Sequence, residues 1–380
     1  DDQGYGDLGC FGSKTNRTPR IDRLAEEGTK FTSFYAQTVC GPSRGALMTG
    51  RYPVRIGGGW TTNGDEVFVP EVLKEAGYAT GCIGKWDMSA RRYQEGLVPN
   101  DQGFDYYFGT LGANDGGKVT FYRNREQLET TSDMASLTQR YTDEALAFIQ
   151  EHRNTPFFLY LAHTMAHVVI DASPRFKGKS AGELYGDVTE ELDWNVGRVV
   201  DAVQEMGIAD TTYLFYFADN GPWSGSEEKY RRSHGGQLAT GTAKPLRSGK
   251  GSAYEGGFRE PCMMWAPGRI PAGRTSAAML STLDMLPTLA ALAGTEPPGG
   301  SLLDGYDQSD LLLGRSEEGA RDHFFYHVQG ELHAVRKGKW KLMLLDRIQQ
   351  YAYTGDAKVT ELELYDLDAD IGEQHNVASE

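Results

Sequence analysis

Short apolar runs alternate with helical patterns along residues 18–217, and this alternation constrains the fold more than any other feature. Most of the runs lack regular polar alternation, which is typical of strands buried on both faces of a sheet. Strand-like runs cover 31–36, 78–83, 156–161 and 212–217, and helical patterns cover 18–28, 70–77, 137–149 and 192–207. We therefore predict an α/β sandwich with a large, mostly parallel central sheet covered by helices.

The pattern changes after Gly294. Residues 295–300 read Thr-Glu-Pro-Pro-Gly-Gly, a composition typical of a linker, and residues 332–344 and 361–367 have strand patterns with little helix between them. This predicts a small C-terminal antiparallel sheet. We expect a large domain over residues 1–300 and a small one over residues 301–380.

The net charge of -15 argues against general binding to nucleic acid or to a membrane surface, because either needs a broad basic face. An anionic ligand would have to be held by a local basic pocket. No apolar run reaches the length needed to span a membrane. The first residues, Asp-Asp-Gln-Gly-Tyr-Gly-Asp, have the composition that usually follows a buried strand, so we expect a strand and any export signal upstream of Asp1.

The strongest motif begins at Cys40. Residues 40–44 read Cys-Gly-Pro-Ser-Arg, and residues 47–51 read Leu-Met-Thr-Gly-Arg. A cysteine just ahead of a proline-initiated helix lies where free backbone amides and the helix dipole favour negative charge. Arg44, in the first turn, can direct its donors to the same place. A lone cysteine at a helix start is more often simply buried, but the whole string is far more specific.

This string resembles that of the type I sulfatases of the alkaline-phosphatase-like superfamily, and the resemblance covers nearly the whole chain. It implies that Cys40 is oxidised to formylglycine by a formylglycine-generating or anaerobic sulfatase-maturating enzyme. The hydrated aldehyde would be a diol: one hydroxyl attacks sulfur, and the other then collapses to release sulfate. The resemblance also implies export to a periplasmic, extracellular or lysosome-like compartment.

Acidic residues follow the expected upstream strand and the run at 212–217. Asp1, Asp2, Asp219 and Asn220 would form an all-oxygen site that suits calcium or magnesium and not zinc. An isolated Asp-Asn pair is more often a turn. The resemblance reverses that reading, because it implies one calcium ion held by these four residues and by a formylglycine oxygen at Cys40.

Three basic residues lie in contexts that match the family. Lys85 follows a strand within Gly-Lys-Trp, Lys250 lies in a glycine-rich segment, and His167 follows the run at 156–161. Taken singly, such residues are usually solvated or structural. Together with Arg44 they predict an anion pocket, in which the resemblance implies that His167 protonates the leaving oxygen.

One position departs from the family pattern. After Gly-Lys-Trp the family usually has histidine, whereas this chain has Asp87. That histidine is thought to assist the collapse of the diol. The replacement therefore removes that group from the second step or assigns its role to the carboxylate, and Asp87 is a candidate catalytic residue.

The substrate is the least constrained part of the prediction. Aromatic and histidine residues, among them Trp223, His234 and His333, could meet a sugar at the pocket rim, although each is more often structural. We favour a carbohydrate sulfate of the galactose or N-acetylgalactosamine type, with aryl sulfates as test substrates. The alternatives are a phosphonate or phosphodiester hydrolase of the same superfamily and an inactive sulfate-binding homologue.

Overall fold

The computed structural model describes residues 1–297, 299, 302–344 and 359–379. Its helices are α1 Pro19–Glu27, α2 Cys40–Thr49, α3 Val69–Glu75, α4 Leu137–His152, α5 Glu183–Glu205, α6 Glu227–Ser233, α7 Glu255–Phe258, α8 Met285–Leu292 and α9 Ser309–Leu312. Its strands are β1 Thr29–Tyr35, β2 Ala79–Lys85, β3 Tyr106–Thr110, β4 Val119–Arg123, β5 Glu126–Thr131, β6 Phe157–Ala162, β7 Leu214–Phe217, β8 Arg259–Trp265, β9 Arg274–Ser276, β10 Leu280–Ser281, β11 His323–Val328, β12 Glu331–Lys337, β13 Trp340–Met343 and β14 Glu363–Asp366.

Two five-stranded sheets form the large part of the molecule. One has the order β10-β1-β8-β7 with β9 also paired to β1, and the other has the order β5-β4-β3-β2-β6. Strand β2 pairs in parallel with β3 and β6, whereas β8 pairs antiparallel with β1 and β7. The predicted α/β fold is confirmed, and its described sheets are mixed where the sequence led us to expect mostly parallel pairing.

Strands β6 and β7 lie on either side of a cavity of about 760 Å3. Every residue of both strands lines it, and Asp1 lies at its border. Most of these apolar side chains are only half-buried, although their sequence is that of core strands. The strand that we expect upstream of Asp1 lies outside the printed sequence and stays a prediction.

Helix α2 lies at the centre of the large part, and all ten of its residues are buried. It begins at Cys40, directly after an extended Val39, and ends at Gly50, whose φ of 66° lies in the left-handed region that glycine adopts without strain. Its apolar residues Leu47 and Met48 belong to the largest apolar cluster, which also contains residues of β1, β2 and β8. This packing fixes the start of the helix relative to the ends of the strands.

The four-stranded C-terminal sheet has the antiparallel order β11-β12-β13-β14. A buried ion cluster connects it to α7 of the large part: Lys341 lies 2.9 Å from Glu255 and 2.8 Å from Glu373. The predicted small sheet is confirmed, with β11 as an additional strand. The linker includes Pro298 and Gly300, which lie outside the described residues, and the division at residue 300 stays a prediction.

Among the described residues, no helix has the length and apolarity to cross a membrane.

Candidate active site

Cys40 lies beside a pocket of about 310 Å3, because the preceding Val39 and Lys250, which contacts the Cys40 sulfur, both line that pocket. The pocket is lined by Val39, Trp60, Arg91, Asp115, His167, Trp223 and Lys250. The Cys40 thiol donates to Asp1 Oδ1 at 3.3 Å and accepts from Lys250 Nζ at 3.2 Å. Because Cys40 is the first residue of α2, the free amides of the first turn lie beside the same sulfur atom. A nucleophile at this position would have a carboxylate on one side and an ammonium on the other.

Arg44 connects two of the predicted acidic ligands. Its NH2 donates to Asp219 Oδ2 at 2.7 Å and to Asp1 Oδ2 at 3.3 Å. Its NH1 donates to the backbone carbonyl of Lys85 at 2.9 Å and to the Tyr160 hydroxyl at 3.1 Å. Burial opposes the charge on Arg44, but the surrounding anionic groups outweigh it and raise its pKa. Arg44 therefore holds a permanent positive charge beneath the pocket.

The predicted acidic residues converge on this place. Asp1, Asp2, Cys40 and His167 each offer one ligand atom, and these atoms all lie within 4.8 Å of one another. Asp219 is connected to this group by Arg44, which donates to its Oδ2. Its Oδ1 accepts from the Asp2 amide at 3.4 Å. Burial opposes the charge on Asp2, yet the nearby cationic groups, chiefly the Lys250 ammonium, together outweigh it and lower its pKa to about 2.

Asn220 supplies the observation that tests the fit to a cation. Its Nδ2 donates to Asp2 Oδ1 at 2.7 Å, which turns its Oδ1 away from that carboxylate. This Oδ1 is buried and has no hydrogen-bond partner among the described residues. An unpartnered buried carbonyl oxygen beside crowded carboxylates is the donor set that a hard divalent cation prefers, so the residues fit such an ion.

Two buried lysines lie among these carboxylates. Lys85 Nζ donates to Asp1 Oδ2 at 2.6 Å, and Lys250 Nζ donates to Asp2 Oδ1. Burial disfavours both charges, but nearby anionic groups, chiefly Asp87 for Lys85 and Asp2 for Lys250, outweigh it and raise both pKa values. Both side chains are therefore cations within a hydrogen-bond length of the Asp1–Asp2 pair.

His167 lies on the opposite wall and is almost fully buried. Its Nδ1 is 2.6 Å from the carbonyl of Val168, and because a carbonyl can only accept, Nδ1 carries the proton. Its Nε2 lies 3.6 Å from Asp2 Oδ2 and 3.7 Å from Asp115 Oδ1. Burial lowers the pKa of His167 to about 3. The neutral ring thus presents an Nε2 lone pair to the pocket.

Asp87 is fully buried and lies between two cations. It is 3.2 Å from Lys85 Nζ and accepts from Arg91 Nε at 2.8 Å. Its backbone φ of 60° is uncommon for a residue other than glycine, and its carbonyl lies close under Gly41 at the start of α2. The carboxylate therefore lies next to the pocket, with its charge balanced by two partners.

Comparison with known proteins decides the family. Residues 1–295 match the family model described as Sulfatase, and residues 249–380 match the model for the C-terminal part of N-sulphoglucosamine sulphohydrolase. The chain belongs to the sulfatase family. This sulfatase is accordingly a sulfuric ester hydrolase, and the sequence-based assignment is confirmed.

Curated relatives are similar over most of this sulfatase. The N-acetylgalactosamine-6-sulfatase of Sus scrofa is 37% identical over 378 residues, covering 90% of this chain and 69% of the relative. Arylsulfatase A of Homo sapiens is 36% identical over 434 residues, covering 99% of this chain and 82% of the relative.

Solved structures show the same fold. A Bacteroides thetaiotaomicron sulfatase linked to glycosaminoglycan metabolism has a TM-score of 0.87 at 27% identity, and the match covers 100% of this chain and 94% of that one. Ps i-CgsB in complex with k-i-k-neocarrahexaose has a TM-score of 0.82 at 31% identity, with 100% and 87% covered. A phosphonate monoester hydrolase from Silicibacter pomeroyi shares the fold alone, at 17% identity and a TM-score of 0.71.

The sequence-predicted rim residues of the sulfatase lie in different places. Trp223 lines the pocket, donates to Asp2 and lies 4.6 Å beneath Lys250 Nζ. His234 does not line the pocket. Its Nε2 accepts from the Ile170 amide at 3.2 Å, so the ring stabilises the loop that contains Ile170. His333 is buried in β12 of the C-terminal sheet, also away from the pocket lining.

Besides Val39, which adjoins the Cys40 motif, the sequence reasoning missed three lining residues: Trp60, Arg91 and Asp115. No motif marks them, because they come from separate loops that meet only in the folded chain. The one usable signal was Asp87 itself, since a buried carboxylate in place of histidine calls for an additional cation, and two arginines follow it at 91 and 92.

Proposed function

We propose that this sulfatase hydrolyses sulfate esters of a carbohydrate of the galactose or N-acetylgalactosamine type, using Cys40 as formylglycine and one calcium ion. The observation that carries the proposal is the position of Cys40 Sγ, at the start of a buried helix and between Asp1 and Lys250. The relatives support the substrate class, since one is named an N-acetylgalactosamine-6-sulfatase and one structure holds a neocarrahexaose. Export and enzymatic maturation of Cys40 belong to the same proposal.

Calcium would be held by Asp1, Asp2, Asp219 and the unpartnered Oδ1 of Asn220, together with a formylglycine oxygen at Cys40. When bound, such an ion polarises sulfate oxygens and stabilises negative charge at the nucleophile. Oxygen donors of this kind select hard cations over zinc.

The formylglycine would supply a hydrated aldehyde, of which one hydroxyl attacks sulfur and the other allows sulfate to leave. In this structure the sulfur of Cys40 stands in for that carbon-bound oxygen. Lys250 and the first-turn amides of α2 lie where they can bind the sulfate and stabilise its added charge in the transition state. Lys85 and Arg44 hold Asp1 in place beside the nucleophile.

His167 is placed to move a proton. Its Nδ1–H is committed to the carbonyl of Val168, so Nε2 is the atom that would take the proton released by the attacking hydroxyl at position 40 and pass it to the departing sugar oxygen. The carboxylates of Asp2 and Asp115, each within 4 Å of Nε2, favour that protonated state. In the proposed reaction, the departing sugar oxygen would therefore lie next to Nε2 of His167.

The test is to assay the mature protein on defined sulfated galactose and N-acetylgalactosamine oligosaccharides, 4-nitrophenyl sulfate and a phosphonate monoester. We expect sulfate release with a sugar sulfate preferred, and an intact mass about eighteen units below that of the cysteine form, with the hydrate restoring it. Preference for the phosphonate would favour the alternative hydrolase. Sulfate binding without turnover, with Cys40 unconverted, would indicate an inactive homologue.

Asp87→Asn tests the residue that departs from the family. We expect the variant to lose about 3–5 kcal/mol of unfolding free energy, because an amide leaves Lys85 and Arg91 without the carboxylate between them. Glu228→Gln, at an exposed pair with Arg232, is the matched control and should leave stability unchanged. Denaturant unfolding measures both.

Mass spectrometry of the same Asp87→Asn variant after mixing with substrate decides its catalytic role. A sulfated enzyme that accumulates would assign Asp87 as the base that accepts a proton from the second hydroxyl. Normal turnover of an aryl sulfate with weakened action on a sugar sulfate would instead make Asp87 a recognition residue. A stable variant with normal turnover of both esters would contradict either role.

A further inference from the structure

Trp60, Arg91 and Asp115 form one wall of the pocket mouth, which we call the outer wall. Trp60 is fixed from both sides. The preceding Gly59 has a φ of 87° and lies so close to α2 that an added Cβ would be 2.3 Å from Pro42 Cα. The carbonyl of Trp60 accepts from the Ala90 amide at 2.9 Å. The loop is therefore packed between the start of the nucleophile helix and the segment after Asp87.

Arg91 is held in one position by three contacts. Its Nε donates to Asp87 at 2.8 Å, its NH1 donates to Asp115 Oδ2 at 2.7 Å, and its guanidinium lies 5.0 Å over the ring of Trp60. A planar guanidinium bound on two edges and one face loses little further freedom when a ligand arrives. Arg91 therefore fixes the direction of the Asp115 carboxylate.

Asp115 is more exposed than its partner Arg91, with 49% of its side chain accessible against 35%. Oδ2 is used by Arg91, whereas Oδ1 faces the pocket and lies 3.7 Å from His167 Nε2. The neighbouring Asn114 is fully buried and donates to the carbonyls of His167 and Val169 at 2.8 and 2.7 Å. The loop that carries Asp115 is thus tied to the backbone of the histidine itself.

We infer that Asp115 determines specificity: its Oδ1 accepts a sugar hydroxyl next to the scissile sulfate and disfavours a second acidic group at that position. The inference rests on the proposed function, because that function places the departing oxygen beside His167 Nε2. A hydroxyl on the adjacent part of the ring then falls within reach of Asp115 Oδ1. The bond would be charge-assisted, and its direction is set in advance by Arg91.

The same carboxylate opposes a second negative charge. A sulfate or uronate carboxylate in place of that hydroxyl would face Oδ1 without a proton to donate, and like charges at contact distance repel strongly in a half-buried site. Arg91 does not relieve this repulsion, because its charge is already shared between Asp87 and Asp115. The subsite therefore selects a sugar that is neutral next to the scissile ester.

Asp115→Asn tests the inference on three substrates: 4-nitrophenyl sulfate, a monosulfated galactoside, and that galactoside with a second sulfate on the adjacent hydroxyl. The amide would turn its oxygen to Arg91 and its NH2 to the pocket, which removes the acceptor and the charge together. We expect KM for the monosulfated sugar to rise about tenfold and its preference over the disulfated sugar to fall about tenfold. The aryl sulfate has neither group, so its turnover reports only the loss of the Asp115 charge beside His167 Nε2, and it should fall clearly less than that of the monosulfated sugar.

Asp143→Asn is the matched control, because Asp143 is 54% accessible and bonds Arg198 at 2.7 Å on a remote surface. It should change none of the three activities. Equal losses on aryl and sugar substrates in Asp115→Asn, or an unchanged preference between the two sugars, would overturn the inference. A wild-type enzyme that cleaves neither kind of ester would contradict the proposed function itself, a result visible before any variant is compared.

Discussion

Cys40→Ala is expected to reduce turnover of 4-nitrophenyl sulfate by at least about 10⁴-fold, because it removes the residue that supplies the proposed diol nucleophile and a methyl group offers none in its place. Stability should fall by only about 1 kcal/mol, since the change removes a single sulfur atom whose two hydrogen bonds are both to site residues. Turnover and denaturant unfolding are measured on the same preparation. Activity well above background would show that the nucleophile is another group.

The Cys40→Ser variant separates nucleophilic attack on the sulfate ester from release of sulfate from the enzyme. A serine hydroxyl in the same pocket can accept sulfate, but it lacks the second hydroxyl that would expel it. We expect a single slow turnover that leaves the enzyme about eighty mass units heavier, the mass of one sulfuryl group. Sustained turnover by the serine variant would mean that water can release the sulfate, so that the aldehyde chemistry is not needed.

The parts of the fold that local pattern controls could be predicted. The apolar run at 78–83 became most of β2, and the helical pattern at 192–207 became the second half of α5. Both rest on spacing within one segment, which a sequence displays directly. The mixed pairing of β8 with β1 and β7 could not be foreseen, because strand neighbours are chosen by contacts between distant parts of the chain.

The same distinction applies to the site. Cys40 and Arg44 lie within one motif on one helix, so their relation follows from helix geometry alone. Asp87 was identified as a departure, but its partner Arg91 depends on a backbone turn with φ values of 60° at both residues. From the sequence, His234 and Trp223 were equally good candidates for substrate-binding residues. Only the packing of the folded chain places the Trp223 ring in the pocket and the His234 ring against the Ile170 amide.

Removal of calcium is expected to have the second largest effect on activity. The carboxylates of Asp1, Asp2 and Asp219 are matched by three cations, Arg44, Lys85 and Lys250. This balance leaves no net positive charge to receive a sulfate group, and a divalent cation would provide it. Chelation should therefore lower turnover by about 10²-fold or more, and calcium should restore it.

A second measurement does not depend on activity. Calcium added to the chelated protein should raise the melting temperature, because an ion that binds the folded site and not the unfolded chain stabilises the fold by mass action. Asn220→Ala should weaken that response, since it removes the amide oxygen of the predicted ligand set, which is buried and has no hydrogen-bond partner among the described residues. Thr240→Ala, at another buried oxygen without a partner but outside the predicted ligand set, is the control and should keep the full response. Zinc giving the strongest recovery and the largest shift would contradict an oxygen-ligated site, because zinc prefers nitrogen and sulfur donors.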